Sequence, residues 1–109
     1  MIMPIHANLA SGKWQTLSFA EQMGNIGSEV SRARAASNRG DIERRNRAIE
    51  RVLELVDLTL RHENRQPHKR ELGLFRDVIT RAREDQAGAS LEMIERYCLP
   101  FGIVARKHV

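Results

Sequence analysis

From Ser18 onward the apolar positions of this chain return every three or four residues, which is the period of amphipathic helices and not of strands. Phe19, Met23, Ile26, Val30 and Ala33 make one stripe on a helix wound at about 100° per residue. Ala20, Gly24, Gly27 and Ser31 make a second stripe of small side chains beside it. A helical glycine gives up about 0.8–1 kcal/mol relative to alanine, so two in one helix predict a compensating close approach of another backbone, from the same chain or from a second copy. Ser18 and Glu21 have the spacing of a capping box, with Leu17 placed as half of a hydrophobic staple, and Asn38-Arg39-Gly40 supplies a stop.

Asp41 then caps a second helix, predicted from Ile42 to about His62. Ile42, Ala48, Ile49, Val52, Leu53, Leu55, Val56 and Leu60 form its broad apolar arc; Glu43, Glu50, Glu54 and Asp57 form an acidic strip; Arg44, Arg47 and Arg51 form a basic strip at i, i+3, i+7. After a joint at 63–67, Pro67 is suited to the first turn of a third helix, whose apolar face is Leu72, Phe75, Val78, Ile79 and Ala82. Gly88 closes that helix, Ser90 is expected to cap a fourth with Leu91, Ile94, Tyr97 and Cys98 on its inner face, and Pro100 to break or kink it before an apolar last turn. The pattern predicts an all-α, up-down-up-down four-helix bundle over residues 18–109, preceded by an extended N-terminal arm over 1–17 on which Trp14 and Leu17 could dock.

Composition narrows the chemistry. The chain has 109 residues, enough for one core, and 5% aromatics, so that core must be aliphatic. It has no long apolar run and begins without the blocks of a signal peptide, which predicts a cytoplasmic protein that does not enter membranes. The single cysteine, Cys98, is expected in the core. Histidines 6, 62, 68 and 108 do not cluster with other ligands, and neither a phosphate loop nor a nucleophile with an adjacent base occurs, so no metal, cofactor or catalytic residue is expected.

The net charge is +4, and the interval Arg32–Arg51 holds all of it: seven arginines (32, 34, 39, 44, 45, 47, 51) against Asp41, Glu43 and Glu50. Fifteen of the 18 basic residues are arginine, the side chain that grips phosphate through two parallel donors. Arg32, Arg39, Arg44, Arg47 and Arg51 are therefore the candidate contacts to RNA or DNA, and Ala20, Gly24, Gly27 and Ser31 the candidate packing or oligomer contact. The opposing reading of the arginines is a solvated face paired with Glu43, Glu50 and Glu54. Trp14 is the one aromatic with a place on the surface, so a platform for stacking bases is not expected. Asn25 and Glu29, at i, i+4 outside both stripes, suggest a hydrogen-bonded pair that fixes packing.

Gln22-x-x-Asn25-Ile26-Gly27-Ser28-Glu29-x-x-Arg32, Glu50-x-x-Leu53-Glu54-Leu55, the stretch Arg44 to Leu60 and the ending Glu95-Arg-Tyr-Cys-Leu-Pro-Phe101 together resemble a small bacterial family of uncharacterised four-helix proteins. More distantly the chain is similar to the proteins encoded in intervening sequences of bacterial 23S ribosomal RNA genes and to accessory proteins of diversity-generating retroelements. Those carry Asn-Ile-Ala-Glu-Gly where this chain has Asn25-Ile26-Gly27-Ser28-Glu29. The resemblance implies a homo-oligomer, a pentameric ring, with a basic surface for nucleic acid and a reverse transcriptase or another protein as partner; it carries over no catalytic residue. Arg61 and His68 loosely resemble the Arg-x4-6-His pair of HEPN ribonucleases, with Pro67 between them. The expectation is thus a non-enzymatic, self-associating bundle that presents an Arg-rich helical hairpin to nucleic acid, as an accessory to a nucleic-acid-processing enzyme; the alternatives are a protein-interaction adaptor and a HEPN-like ribonuclease.

Overall fold

The computed structural model describes residues 12–85 and 88–107, with side chains outside that description at 85, 88–90 and 104–107. A short 3-10 turn at Trp14–Thr16 leads into four helices, α1 (Phe19–Asn38), α2 (Ile42–His62), α3 (Gln66–Asp85) and α4 (Gly88–Lys107), and the described residues contain no strand. The fold is all-α. Helix α1 packs on both α2 and α4, α2 packs on α3, and α3 on α4.

Local chemistry sets most of the boundaries. Ser18 Oγ accepts from the Glu21 amide while Glu21 Oε1 accepts from the Ser18 amide, a reciprocal capping box that satisfies two donors at the start of α1. The staple does not form, because the position it would use is Gln22, whose side-chain amide donates to the Trp14 carbonyl at 2.9 Å. At the other end Gly40 takes a φ of +75°, a left-handed turn that a β-carbon would strain, and Asp41 Oδ1 accepts from the Arg44 amide to open α2.

Two expectations for α4 need correction. It begins at Gly88, so Ser90 lies inside its first turn and not at its cap, leaving a joint of only two residues after α3. It also runs through Pro100 instead of ending there. Pro100 sits on the exposed side of α4, and the carbonyl at Arg96 that loses its partner lies on the same side, open to water, which removes most of the cost of a proline inside a helix.

The core is aliphatic: Met23, Ile26 and Val30 from α1, Ile49, Val52, Leu55 and Val56 from α2, Leu72 and Ile79 from α3, Leu91, Ile94 and Cys98 from α4. Ile42, expected inside, is 38% exposed, while Leu58 and Thr59 are buried. Trp14 is a further correction. It is buried, not surface-exposed, and its indole Nε1 donates to Thr59 Oγ1 at 2.8 Å. The predicted arm is therefore docked through the residues just before α1; its positions 1–11 lie outside the described residues.

The small stripe of α1 is filled by α4. A β-carbon on Gly24 would meet Gly102 Cα at 3.3 Å, one on Gly27 would meet Cys98 Cβ at 2.7 Å, and Ser31 hydrogen-bonds Glu95. The Ser31 hydroxyl, and after it Arg34, hold the Glu95 carboxyl below its ordinary range.

Candidate nucleic-acid interface

Five arginines converge on one cleft between α1 and α2. Its lining is Arg32, Ala35, Ala36 and Arg39 from α1 and Arg44, Arg47, Ala48 and Arg51 from α2, around about 410 Å³. Each helix contributes the same spacing, i, i+3, i+4, i+7, which brings four positions to one face. Alanines make the floor and arginines the walls. Small floor residues keep the two helices close, and the long guanidinium arms reach past them into solvent.

The other two arginines of the basic interval have left this face. Arg34 turns to α4, where it pairs with Glu95 at 2.5 Å and Glu92 at 3.9 Å. Arg45 is fully buried, with its guanidinium donating to the Ala82 carbonyl and to the Arg83 carbonyl at 3.4 Å. It thereby satisfies carbonyls in the last turn of α3, the negative end of that helix dipole.

The acidic strip of α2 does not neutralise the cleft as the solvated-face reading required. Asp57 holds Arg76 of α3 at 2.7 Å, and Glu50 holds Arg83 of α3 at 3.7 Å. Glu43 reaches Arg47 at 3.9 Å, and Asp41, just before α2, lies 3.5 Å from Arg44. Both contacts are long and exposed, so they are worth a few tenths of a kcal/mol. Arg39 makes no ion pair among the described residues.

One acid that falls outside the basic interval of the sequence does reach the cleft. The Glu29 side chain is 8% exposed; its Oε1 accepts from Arg32 at 2.6 Å, and its Oε2, which accepts no hydrogen bond among the described residues, stands 3.7 Å from Arg51. Glu29 thus ties together the two arginines at the end of the cleft far from the α1–α2 turn. Its expected partner Asn25 is exposed and donates to the Glu21 carbonyl instead. The missed signal was spatial. Glu29 and Arg51 are 22 positions apart in the chain, and only the pairing of α1 with α2 makes them neighbours. Five arginines against Glu29, Asp41 and Glu43 leave the cleft cationic.

A second polar cleft, about 530 Å³, lies at the α2–α3 joint between Gln15, Phe19, His62, Glu63 and Arg65. Its polar groups are engaged with one another. Gln15 Nε2 meets His62 Nε2 at 2.5 Å, and Arg65 grips Glu63 at 2.9 Å, pulling that carboxyl down to about 2. His68 stacks on Phe19 with ring centroids 4.0 Å apart and turns Nδ1 to Glu63 at 3.4 Å. Of the Arg61 and His68 pair, Arg61 is exposed in the last turn of α2 and the partners of His68 are Phe19 and Glu63. Cys98 is buried, and burial followed by the Glu95 charge pushes its thiol up to about 12, well away from a reactive thiolate.

Among the described residues no helix is long and apolar enough to cross a membrane, and no three His, Cys, Asp or Glu side chains gather as for a metal ion. Compared with protein-family models, with curated proteins and with solved structures, the chain matches none. Its function is inferred from the geometry of the arginine cleft.

Proposed function

We propose that this chain is a non-enzymatic, self-associating four-helix protein that offers the α1–α2 cleft to RNA or another nucleic acid, in the cytoplasm and as an accessory to a nucleic-acid-processing enzyme such as a reverse transcriptase. One observation carries the reading: Arg32, Arg39, Arg44, Arg47 and Arg51 line a single cleft whose neighbouring carboxylates on α2 are drawn off to α3. Convergent guanidinium groups bind successive phosphates and release the counterions condensed on a nucleic acid. The lining contains no aromatic ring, so the ligand is held by its backbone and not by stacked bases. An up-down-up-down bundle with an N-terminal arm belongs to the same reading. It is supported by the order of contacts, since Glu50 meets Arg83 while Asp57 meets Arg76, and Gly24 meets Gly102 while Ser31 meets Glu95.

The test is a triple variant, Arg44→Gln, Arg47→Gln and Arg51→Gln. It should weaken binding to unrelated RNA sequences about equally and flatten the slope of log K against log salt by roughly 0.7–0.9 for each phosphate no longer neutralised. Helicity should be kept, because these side chains lie outside the core and exposed substitutions usually cost within about 0.5 kcal/mol. Absence of wild-type binding at low salt, or binding indifferent to the triple change, would sink the proposal.

A further inference from the structure

The large apolar side chains that the described residues leave most exposed gather on α3 and α4. Leu74 is 64% exposed, Met93 66%, Leu99 59% and Ile103 43%. Between Leu74 and Met93 lies a groove of about 230 Å³ with Phe75, Val78 and Ile94 in its floor, and Met93, Pro100, Ile103 and Leu99 continue the surface over an arc of about 120° on the solvent side of α4. Protruding side chains and the groove that could receive them thus stand on one face. A surface that carries both is complementary to itself under a two-fold rotation, in which each residue's contact is made twice.

Charge separates the possible occupants. The ionisable groups around the patch are of both signs, Arg70, Glu71, Asp77 and Arg81 on α3 and Glu92 and Arg96 on α4, so their charges balance. Two such rims can meet base to acid. The α1–α2 face instead holds the arginine cleft, and apposing two copies there would bring like charges together. A polyanion finds no excess of positive charge around this patch, and the small stripe of α1 is already filled by Gly102, Cys98 and Glu95 of the same chain.

We infer that the face formed by Leu74, Met93 and the groove between them docks a second copy of this chain about a two-fold axis, leaving the two arginine clefts outward. This rests on the self-association proposed above and names its surface. Burying apolar side chains that would otherwise face water drives the contact, and the balanced rim fixes its register.

Sedimentation equilibrium on the full chain tests it. The wild type should show the mass of two chains at high concentration, and the double variant Leu74→Glu, Met93→Glu the mass of one with unchanged helical circular dichroism. Should the glutamates disturb folding, Leu74→Ala with Met93→Ala should still raise the dimer dissociation constant by about tenfold, as truncation of central interface side chains does. A wild type that stays monomeric, a ring of five, or a dimer that neither variant weakens would overturn the assignment. The RNA-binding proposal fails separately: the glutamate variant should bind RNA as a single chain, and the triple arginine variant should lose RNA while keeping the mass of two.

Discussion

Gly27 stands so close to Cys98 that a β-carbon on the glycine would lie 2.7 Å from the cysteine's own, nearer than two such carbons ever approach. Neither carbon is the flexible end of a side chain, so only a shift of α1 against α4 could relieve the contact. Gly24 is less constrained, with 3.3 Å to Gly102 Cα. Gly27→Ala should therefore destabilise the fold by about 1–3 kcal/mol despite alanine's better helix propensity, and Gly24→Ala by less. Denaturant unfolding of the two variants would show it; equal stability of both with the wild type would mean that α1 and α4 do not meet at this separation.

The bond between Trp14 and Thr59 joins the segment before α1 to the last turns of α2. Thr59 Oγ1 accepts from the indole and donates to the Leu55 carbonyl. Thr59→Val keeps the shape but leaves a buried indole donor without an acceptor, at an expected cost of about 1–3 kcal/mol. On a Trp14→Phe background the same change should cost less, because no donor is left stranded. A double-mutant cycle followed by circular dichroism measures the difference, and strict additivity would deny the bond.

Glu63 supplies a pH dependence. Its carboxyl falls from an ordinary 4.5 to about 2, chiefly through the Arg65 hydrogen bond, with the Arg65 amide and His68 contributing. A carboxyl whose value is depressed by folding contributes stability that is fully present above its unfolded value and is lost as pH falls through the folded one. Between pH 4.5 and 2 the wild type should lose more stability than Glu63→Gln, and near pH 7 the variant should be the weaker of the two. Parallel stability curves across that range would show that the Glu63 and Arg65 contact adds nothing.

Glu29 modulates the arginine cleft. Its charge is buried beside Arg32 and within 3.7 Å of Arg51, so it competes with any anion for both. Glu29→Gln keeps an acceptor for Arg32 and removes the negative charge. It should tighten RNA binding and steepen its salt dependence, as measured by titration at several ionic strengths. Weaker binding by a folded variant would show that Glu29 instead holds the two arginines in their binding geometry.

Much of the fold was legible in the chain because its signals are local. The Ser18 and Glu21 box, the Gly40 turn and the Asp41 cap each act within four residues, and the 3.6-residue apolar period of α1 to α3 needs no knowledge of neighbours. The α4 start was misjudged because Ser90 has cap chemistry wherever it stands, and Pro100 because a proline's cost depends on whether the carbonyl it frees is open to water. The sequence alone also determined that the charge of the chain lies between Arg32 and Arg51. Tertiary structure decided which of those arginines share a face. Packing of α2 against α3 buries Arg45 on the α3 carbonyls and takes Glu50 and Asp57 to Arg83 and Arg76, while α4 takes Arg34. Pairing of α1 with α2 brings Glu29 to Arg51 and closes the cleft. Spacing along a helix fixes the direction in which a side chain points, but the charge it meets there belongs to a segment tens of residues away.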